Sequence, residues 1–334
     1  MSGILYVKKK DKTKNWSNVL YRQYKDLKSI SGGKVYLHEI DTSSITSYFL
    51  EPFKVYKKLR NANIQILYVN HIICAFPLIF ILPFLYSKIR ILALHESEPV
   101  LGFKFLKKYR KMLSIKEWIR YLPIMWIPIY FFDSIFVLNN KQLIYKWIKK
   151  DRFKQINFLG INSKINLLHS NSQPKYDIFF PHNPNRIEKG YSYFKDALSL
   201  IQDEISGLKI LVGGDFSHDE MGKNYSQSDI VILSGYYETY SIVFLEAASY
   251  NNKIVVNNNI GIIQNIIKIK GESYLAKKGV FVSDLNKQSL SENIKKALSF
   301  PLKDVKTREI ISDLGLFEKE VNKTLYQKII EINK

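Results

Sequence analysis

Residues 229–256 read DIVILSGYYETYSIVFLEAASYNNKIVV, and their reading decides the fold. Ile230–Leu233 is an uninterrupted apolar run of strand length. Ser234 and Gly235 break it, and Ile242–Ser249 has the length and small-residue content of a buried helix. Lys253–Val256 is a second apolar strand. A strand, a helix and another strand within 28 residues form a βαβ unit, and strands apolar on both faces belong to a parallel sheet covered on both sides. The same alternation extends outward. Ile178–Phe180, Lys209–Val212 and Val280–Val282 read as strands. Tyr191–Ile205, Ile262–Ile267, Leu290–Leu298 and Phe317–Asn333 read as helices.

The first half repeats the pattern. Ile4–Val7, Lys34–His38, Ile64–Val69, Ile89–Leu94 and Ile135–Leu138 read as strands. Trp16–Lys28, Leu50–Arg60 and Leu143–Lys150 read as helices. The polar stretch Ser163–Lys175 is the candidate linker. The expected fold class is therefore α/β: two Rossmann-like domains facing across a cleft, over residues 1–165 and 175–316, with a terminal helix over 317–334. A chain of 334 residues is long enough for two such cores. In these sheets ligands bind at the carboxyl ends of the strands.

Composition excludes several classes. With 46% hydrophobic and 24% charged residues the chain is globular, not disordered. Its single cysteine, Cys74, excludes a disulfide scaffold and a cysteine zinc site, and fits a reducing compartment. The histidines show no short ligand spacing and there is no Asp-x-Asp triplet, so no metal or other cofactor is expected. The phosphate-binding loops of NTPases and classical dehydrogenases are missing. Met1–Lys14 has no secretory pattern, which leads us to expect a cytoplasmic protein.

The net charge of +20 is unevenly placed. Residues 1–170 hold 29 Lys and Arg against 10 Asp and Glu, whereas the remainder is nearly neutral. A basic half implies an anionic partner, and a membrane surface or a nucleic acid is the usual one; the alternative is a solvated basic surface. Phe103–Arg120 interleaves seven Lys and Arg with aromatic and aliphatic residues, and YLPIMWIPIYFF follows it. That pattern suits an interfacial helix on anionic lipid, or equally a core helix with a solvated outer face. Ile72–Tyr86 is apolar but only 15 residues long and holds Pro77 and Pro83. It is short of the ~20 residues of a membrane span, so the expectation is a buried crossover helix.

The chemistry centres on Glu238 and Glu246, with seven residues between them. The first lies in a strand-to-helix loop and the second on the following helix. An exposed helix start binds phosphate through its free N–H groups and dipole, and carboxylates beside it can hold sugar hydroxyls. The bland alternative is a capping residue and a surface charge.

Residues 179–267 resemble the C-terminal domain of the GT-B glycosyltransferases of family 4, the large retaining group. The matching text is FFPHNPNRIEKG, LVGGDFSHDEM and YSQSDIVILSGYYETYSIVFLEAASYNNKIVVNNNIGIIQNII. The resemblance implies that Glu238 lies by the donor sugar, that Glu246 bonds the ribose, and that Arg186 and Lys189 hold the donor pyrophosphate. Thr239 and Ser241 join the donor set at the helix start. Ser241 stands where many members have Gly, and Gln264 where many have Glu. His95, after the Ile89–Leu94 strand, matches the catalytic-side histidine; His71 competes for that role, and Glu96 and Glu98 are further candidates. The usual Gly-rich loop after the first strand is replaced by KKKDKTKNWS. The implied activity is metal-free, retaining transfer from a nucleotide-diphosphate sugar to a glycan or lipid-linked acceptor. It would serve bacterial surface polysaccharide synthesis, peripheral to the inner face of the membrane, with no nucleic acid. The alternatives are a nucleotide-sugar epimerase and a non-catalytic basic binding protein.

Overall fold

The structure is a computed structural model. It describes residues 3–10, 14–42, 44–60, 63–95, 123–139, 150–162, 174–203, 206–214, 216–236 and 238–333. The chain divides into two compact units, Met1–Phe158 with Val321–Lys334, and Leu159–Glu320. The expected linker lies mostly outside the described residues, as do the basic stretch Phe103–Arg120 and all but the last residue of the expected helix Leu143–Lys150.

In the first unit the described strands are β1 (Gly3–Lys9), β2 (Val35–Ile40), β3 (Ile64–Asn70), β4 (Ile89–Leu94), β5 (Ser134–Val137) and β6 (Phe153–Gln155). They form one sheet in the order β2-β1-β3-β4-β5-β6, with every pair parallel. Helices α1 (Lys14–Ile30) and α2 (Ile45–Leu59) make the crossovers. Leu5, Val7, Leu67, Val69, Leu92 and Leu94 are buried in one core with Val55 and Leu59 of α2. This is why the strands read as unbroken apolar runs.

The stretch Ile72–Tyr86 corrects the expectation of one crossover helix. It forms a short helix, α3 (Ile72–Ala75), then 3-10 turns at Pro77–Phe80 and Leu82–Phe84. Pro77 and Pro83 each start a turn, because proline lacks an N–H and cannot continue an α-helix. Leu78 and Leu82 point into the core while Phe80, Phe84 and Tyr86 face out. Among the described residues no helix is long and apolar enough to cross a membrane. Pro123–Phe131 is likewise a 3-10 helix.

The second unit holds β7 (Tyr176–Phe180), α4 (Tyr191–Ser199), β8 (Ile210–Val212), α5 (His218–Ser226), β9 (Ser228–Leu233), α6 (Ile242–Ser249), β10 (Lys253–Asn257), α7 (Gly261–Lys270), α8 (Glu272–Lys277), β11 (Val280–Ser283), α9 (Lys287–Ser299) and α10 (Thr307–Asp313). Helix α4 ends at Ser199 and not at the expected Ile205. Its sheet runs β11-β10-β9-β7-β8, again all parallel. Helix α5 was not expected, because its sequence is mostly polar. A capping box marks its start: Ser217 accepts from the Glu220 N–H and the Glu220 carboxylate accepts from the Ser217 N–H. Ile161 pairs with Phe317 ahead of the last helix, α11 (Glu318–Ile332).

Counted within its own unit, each sheet has the order 2-1-3-4-5 over its first five strands. The order reverses between the first and third strands. The crossover helices diverge there, and the strand ends are left open for polar groups. These places are the ends of β1 and β3 in the first unit, and of β7 and β9 in the second.

Candidate functional site

At the reversal point of the second unit, β7 runs into Pro181 and His182, and β9 into Ser234 and Gly235. The two exits approach closely through Gly190. Its φ of +73° is left-handed, and a Cβ there would lie 2.1 Å from the Ser234 carbonyl oxygen. Only glycine fits. The Ser234 hydroxyl donates to the Gly190 carbonyl (2.9 Å), and the Tyr236 N–H donates to the Glu188 carbonyl (3.0 Å). This seam places Lys189, one residue earlier, against the loop that carries Glu238.

Lys189 is 8% exposed and its Nζ donates to Glu238 Oε1 at 3.1 Å. The Glu238 backbone is pinned separately, since its carbonyl accepts from the Gly261 N–H at 2.9 Å. Burial pushes the Glu238 carboxyl up, but the Lys189 ammonium and the hydrogen bonds from Lys189 and Ser241 hold it below the usual carboxylate range. It is an anion at neutral pH. His182, also buried, is pushed down to about 3 by burial first and by Lys189 second, so its ring is neutral. Reading the sequence did not single out His182; its place after a buried strand, three residues ahead of Asn185-Arg186, was the available signal.

Ser241 caps α6, its hydroxyl accepting from the Phe244 N–H at 3.2 Å. Its φ is +92°, one of three positive values at non-glycine residues among those described. That explains why glycine suits this position, and why serine there carries strain. Thr239 is buried beside it. Glu246, in the second turn of α6, accepts from the Tyr225 hydroxyl at 3.1 Å. Burial and the two nearby carboxylates push the Tyr225 phenol up, so it stays a donor.

Two expected residues are used differently. Arg186 pairs with Glu188 two residues on, at 2.6 Å, with its side chain 58% exposed, so it does not join the Lys189–Glu238 pair. Gln264 turns its amide to the Asn258 carbonyl at 2.9 Å.

The first unit has its own cluster at the ends of β1, β3 and β4. Asn70 is fully buried; its Nδ2 donates to the Val7 carbonyl at 3.2 Å, which leaves Oδ1 to accept from His95 Nε2 at 3.1 Å. His95 therefore carries its proton on Nε2. Nδ1 is then an acceptor, and it is buried with no hydrogen-bond partner among the described residues. Burial, with His71 second, holds the His95 ring well below its ordinary range and thus neutral. His71 stacks on His95 at 4.1 Å and has a φ of +69°. Glu96 and Glu98 lie outside the described residues. Among the described residues no three His, Cys, Asp or Glu side chains gather to hold a metal ion.

Residues 190–313 match the family model described as glycosyl transferases group 1. All of the matched residues lie in the second unit. The match includes Glu238, Ser241, Glu246 and Gln264 and begins one residue after Lys189. Over the whole chain the fold resembles sucrose-phosphate synthase from Thermosynechococcus elongatus, at TM-score 0.69 and 13% identity, covering 99% of each chain. It also resembles Anabaena HepE in complex with UDP, at TM-score 0.66 and 11% identity, covering 98% of this chain and 100% of that one. A UDP-forming α,α-trehalose-phosphate synthase from Burkholderia vietnamiensis gives TM-score 0.65 at 9% identity, covering 100% of this chain and 98% of that one. At such identities the likeness shows the fold: two α/β units, each with a parallel sheet, matching structures of the GT-B fold class expected from the sequence. No curated protein sequence matches the chain.

Three outcomes follow from this geometry. Ser241→Gly relieves strain of about 1–3 kcal/mol and loses only a few tenths with the cap, so its melting temperature rises; Ser241→Ala keeps the strain, loses the cap and melts lower. The unfolded chain protonates His182 near pH 6.5 and the folded one near 3, so His182 destabilises the fold as pH falls through that window. Thermal melts of His182→Gln will show a shallower acid decline than wild type. Nitrogen-15 NMR will find His95 protonated on Nε2 alone at neutral pH, and Asn70→Asp will raise its titration by placing an anion beside that proton.

Proposed function

We propose that the chain transfers a sugar, with retention of configuration, from a nucleoside-diphosphate sugar bound in the second unit to a glycan or lipid-linked acceptor held by the first. The observation that carries the reading is the Lys189–Glu238 pair at the strand-order reversal beside the start of α6. In the reaction the bond from C1 to the diphosphate oxygen breaks and the diphosphate leaves with the electron pair. A bond from an acceptor oxygen to C1 forms, and the acceptor hydroxyl gives up its proton.

The residues take separate parts. Lys189 stabilises the charge growing on the departing diphosphate, which supplies a cation without a metal. The positive end of the α6 dipole adds to it. Glu238, an anion, accepts from donor-sugar hydroxyls, and Glu246, held from one side by Tyr225, accepts from the ribose. Arg186 is exposed two residues from its partner Glu188 and reaches the diphosphate by exchanging that partner. Neutral His95 offers Nδ1 as an acceptor to a substrate hydroxyl. HepE with UDP makes UDP the first nucleotide to test. The basic first half favours a phosphate-bearing, lipid-linked acceptor in surface polysaccharide assembly, at the cytoplasmic face of the membrane.

Calorimetry with UDP and GDP tests the donor site. Glu246→Ala will weaken binding by about 1.5–3 kcal/mol, the value of a hydrogen bond to a charged group. Lys189→Ala will lower turnover with a folded protein. Unchanged nucleotide affinity in the first variant removes Glu246 from the site, and wild-type transfer in the second removes Lys189 from the diphosphate.

A further inference from the structure

We infer that the outer face of α2, together with the 3-10 turns after α3, is a docking surface for an anionic lipid bilayer. Helix α2 buries Glu51, Val55 and Leu59 and exposes Phe49 and Phe53. The turns bury Leu78 and Leu82 and expose Phe80, Phe84 and Tyr86. The Phe49 and Phe80 rings lie 6.2 Å apart, so the two elements form one surface. Phe53 and Phe84 are each 69% exposed. Large rings gathered on one face and left in water are costly for a soluble surface, and they mark a contact.

The charges around the rings identify the occupant. Lys54, Lys57, Lys58 and Arg60 are exposed on the last turns of α2 and at its end. The helix has one carboxylate, Glu51, which is buried and paired with His38 at 2.7 Å and Lys54 at 2.8 Å. The outward face therefore offers aromatic rings and cations and no acid. That combination fits a headgroup layer, where rings settle at the polar boundary and Lys and Arg meet anionic lipid.

The position fits a membrane-borne acceptor, for which this inference rests on the proposed function. Tyr48 precedes Phe49 and donates its hydroxyl to the Ile73 carbonyl at 2.5 Å. Ile73 lies two residues beyond His71, at the strand ends of the same unit. A bilayer under Phe49 and Phe80 would hold a lipid headgroup beside those ends.

Sedimentation with vesicles tests it without any turnover. The full chain will pellet with phosphatidylglycerol–phosphatidylcholine vesicles and far less with phosphatidylcholine alone. Phe53→Asp with Phe84→Asp will lower binding about tenfold or more, and Lys57→Glu will lower binding to the anionic vesicles only. Ile269→Asp, equally exposed but in the second unit, will bind as wild type. Both substituted rings are exposed, so unchanged melting temperatures will show the variants folded. The inference is overturned if wild type does not pellet with anionic vesicles, or if the double variant pellets as wild type does. It is also overturned if reversing Lys104, Lys107, Lys108 and Lys111 to Glu releases the protein while the ring variant stays bound. A wild-type dimer that the ring variant dissolves, without vesicle binding, would make a second copy the occupant and overturn it too. Nucleotide calorimetry on the same samples reports on the donor site alone, so failure of one reading is separable from failure of the other.

Discussion

Everything at the Lys189–Glu238 cluster depends on one close approach. The chain after β7 and the chain after β9 meet at Gly190 and Ser234, where there is no room for a Cβ. That contact brings a lysine from one exit onto a glutamate from the other across 49 residues of sequence. Partial burial then sets the chemistry. A lone carboxylate there would rise in pKa. Beside the Lys189 ammonium it is instead held below its ordinary range and keeps its charge. The strained Ser241 follows directly, because the loop must turn sharply from the Glu238 contact into α6.

The same topology produces a second polar cluster in the first unit. Asn70, His71 and His95 occupy the open strand ends where the sheet order reverses. A fully buried Asn70 uses its donor on β1 and its acceptor on His95, which determines the histidine tautomer. Lys8, nearly inaccessible at the end of β1, is matched by Glu39 at 2.6 Å. Each unit thus concentrates buried, paired polar groups at the one place where a parallel sheet leaves backbone and side chains uncovered. Function is grafted there at little cost to the apolar layers beneath.

The surface of the first unit follows from its sequence in a less direct way. Residues 72–86 look like a candidate span because their apolar residues are continuous. In the fold, prolines cut the run into turns, and the turns sort it into two faces. One face closes the core under α2. The other, with the outer face of α2, presents rings between lysines. The hydrophobicity is real, but most of it is buried, and only Phe80, Phe84 and Tyr86 turn large apolar side chains outward.

The alternation of unbroken apolar runs with helical stretches, read outward from residues 229–256, determined both parallel sheets and almost every strand, because burial on two faces leaves no other pattern. It determined α6 to the residue. The sequence also placed Glu238, Ser241 and Glu246 on their loop and helix, since these are local. It missed α5, whose polar residues carry no periodic signal, and it made one helix of residues 72–86, where proline outweighs hydrophobicity. What only the tertiary structure decided is pairing at a distance: Lys189 with Glu238, Tyr225 with Glu246, and Asn70 with His95. A side chain's partner depends on which strand ends become neighbours and how closely they approach. That is set by the packing of the whole sheet, which no stretch of sequence contains.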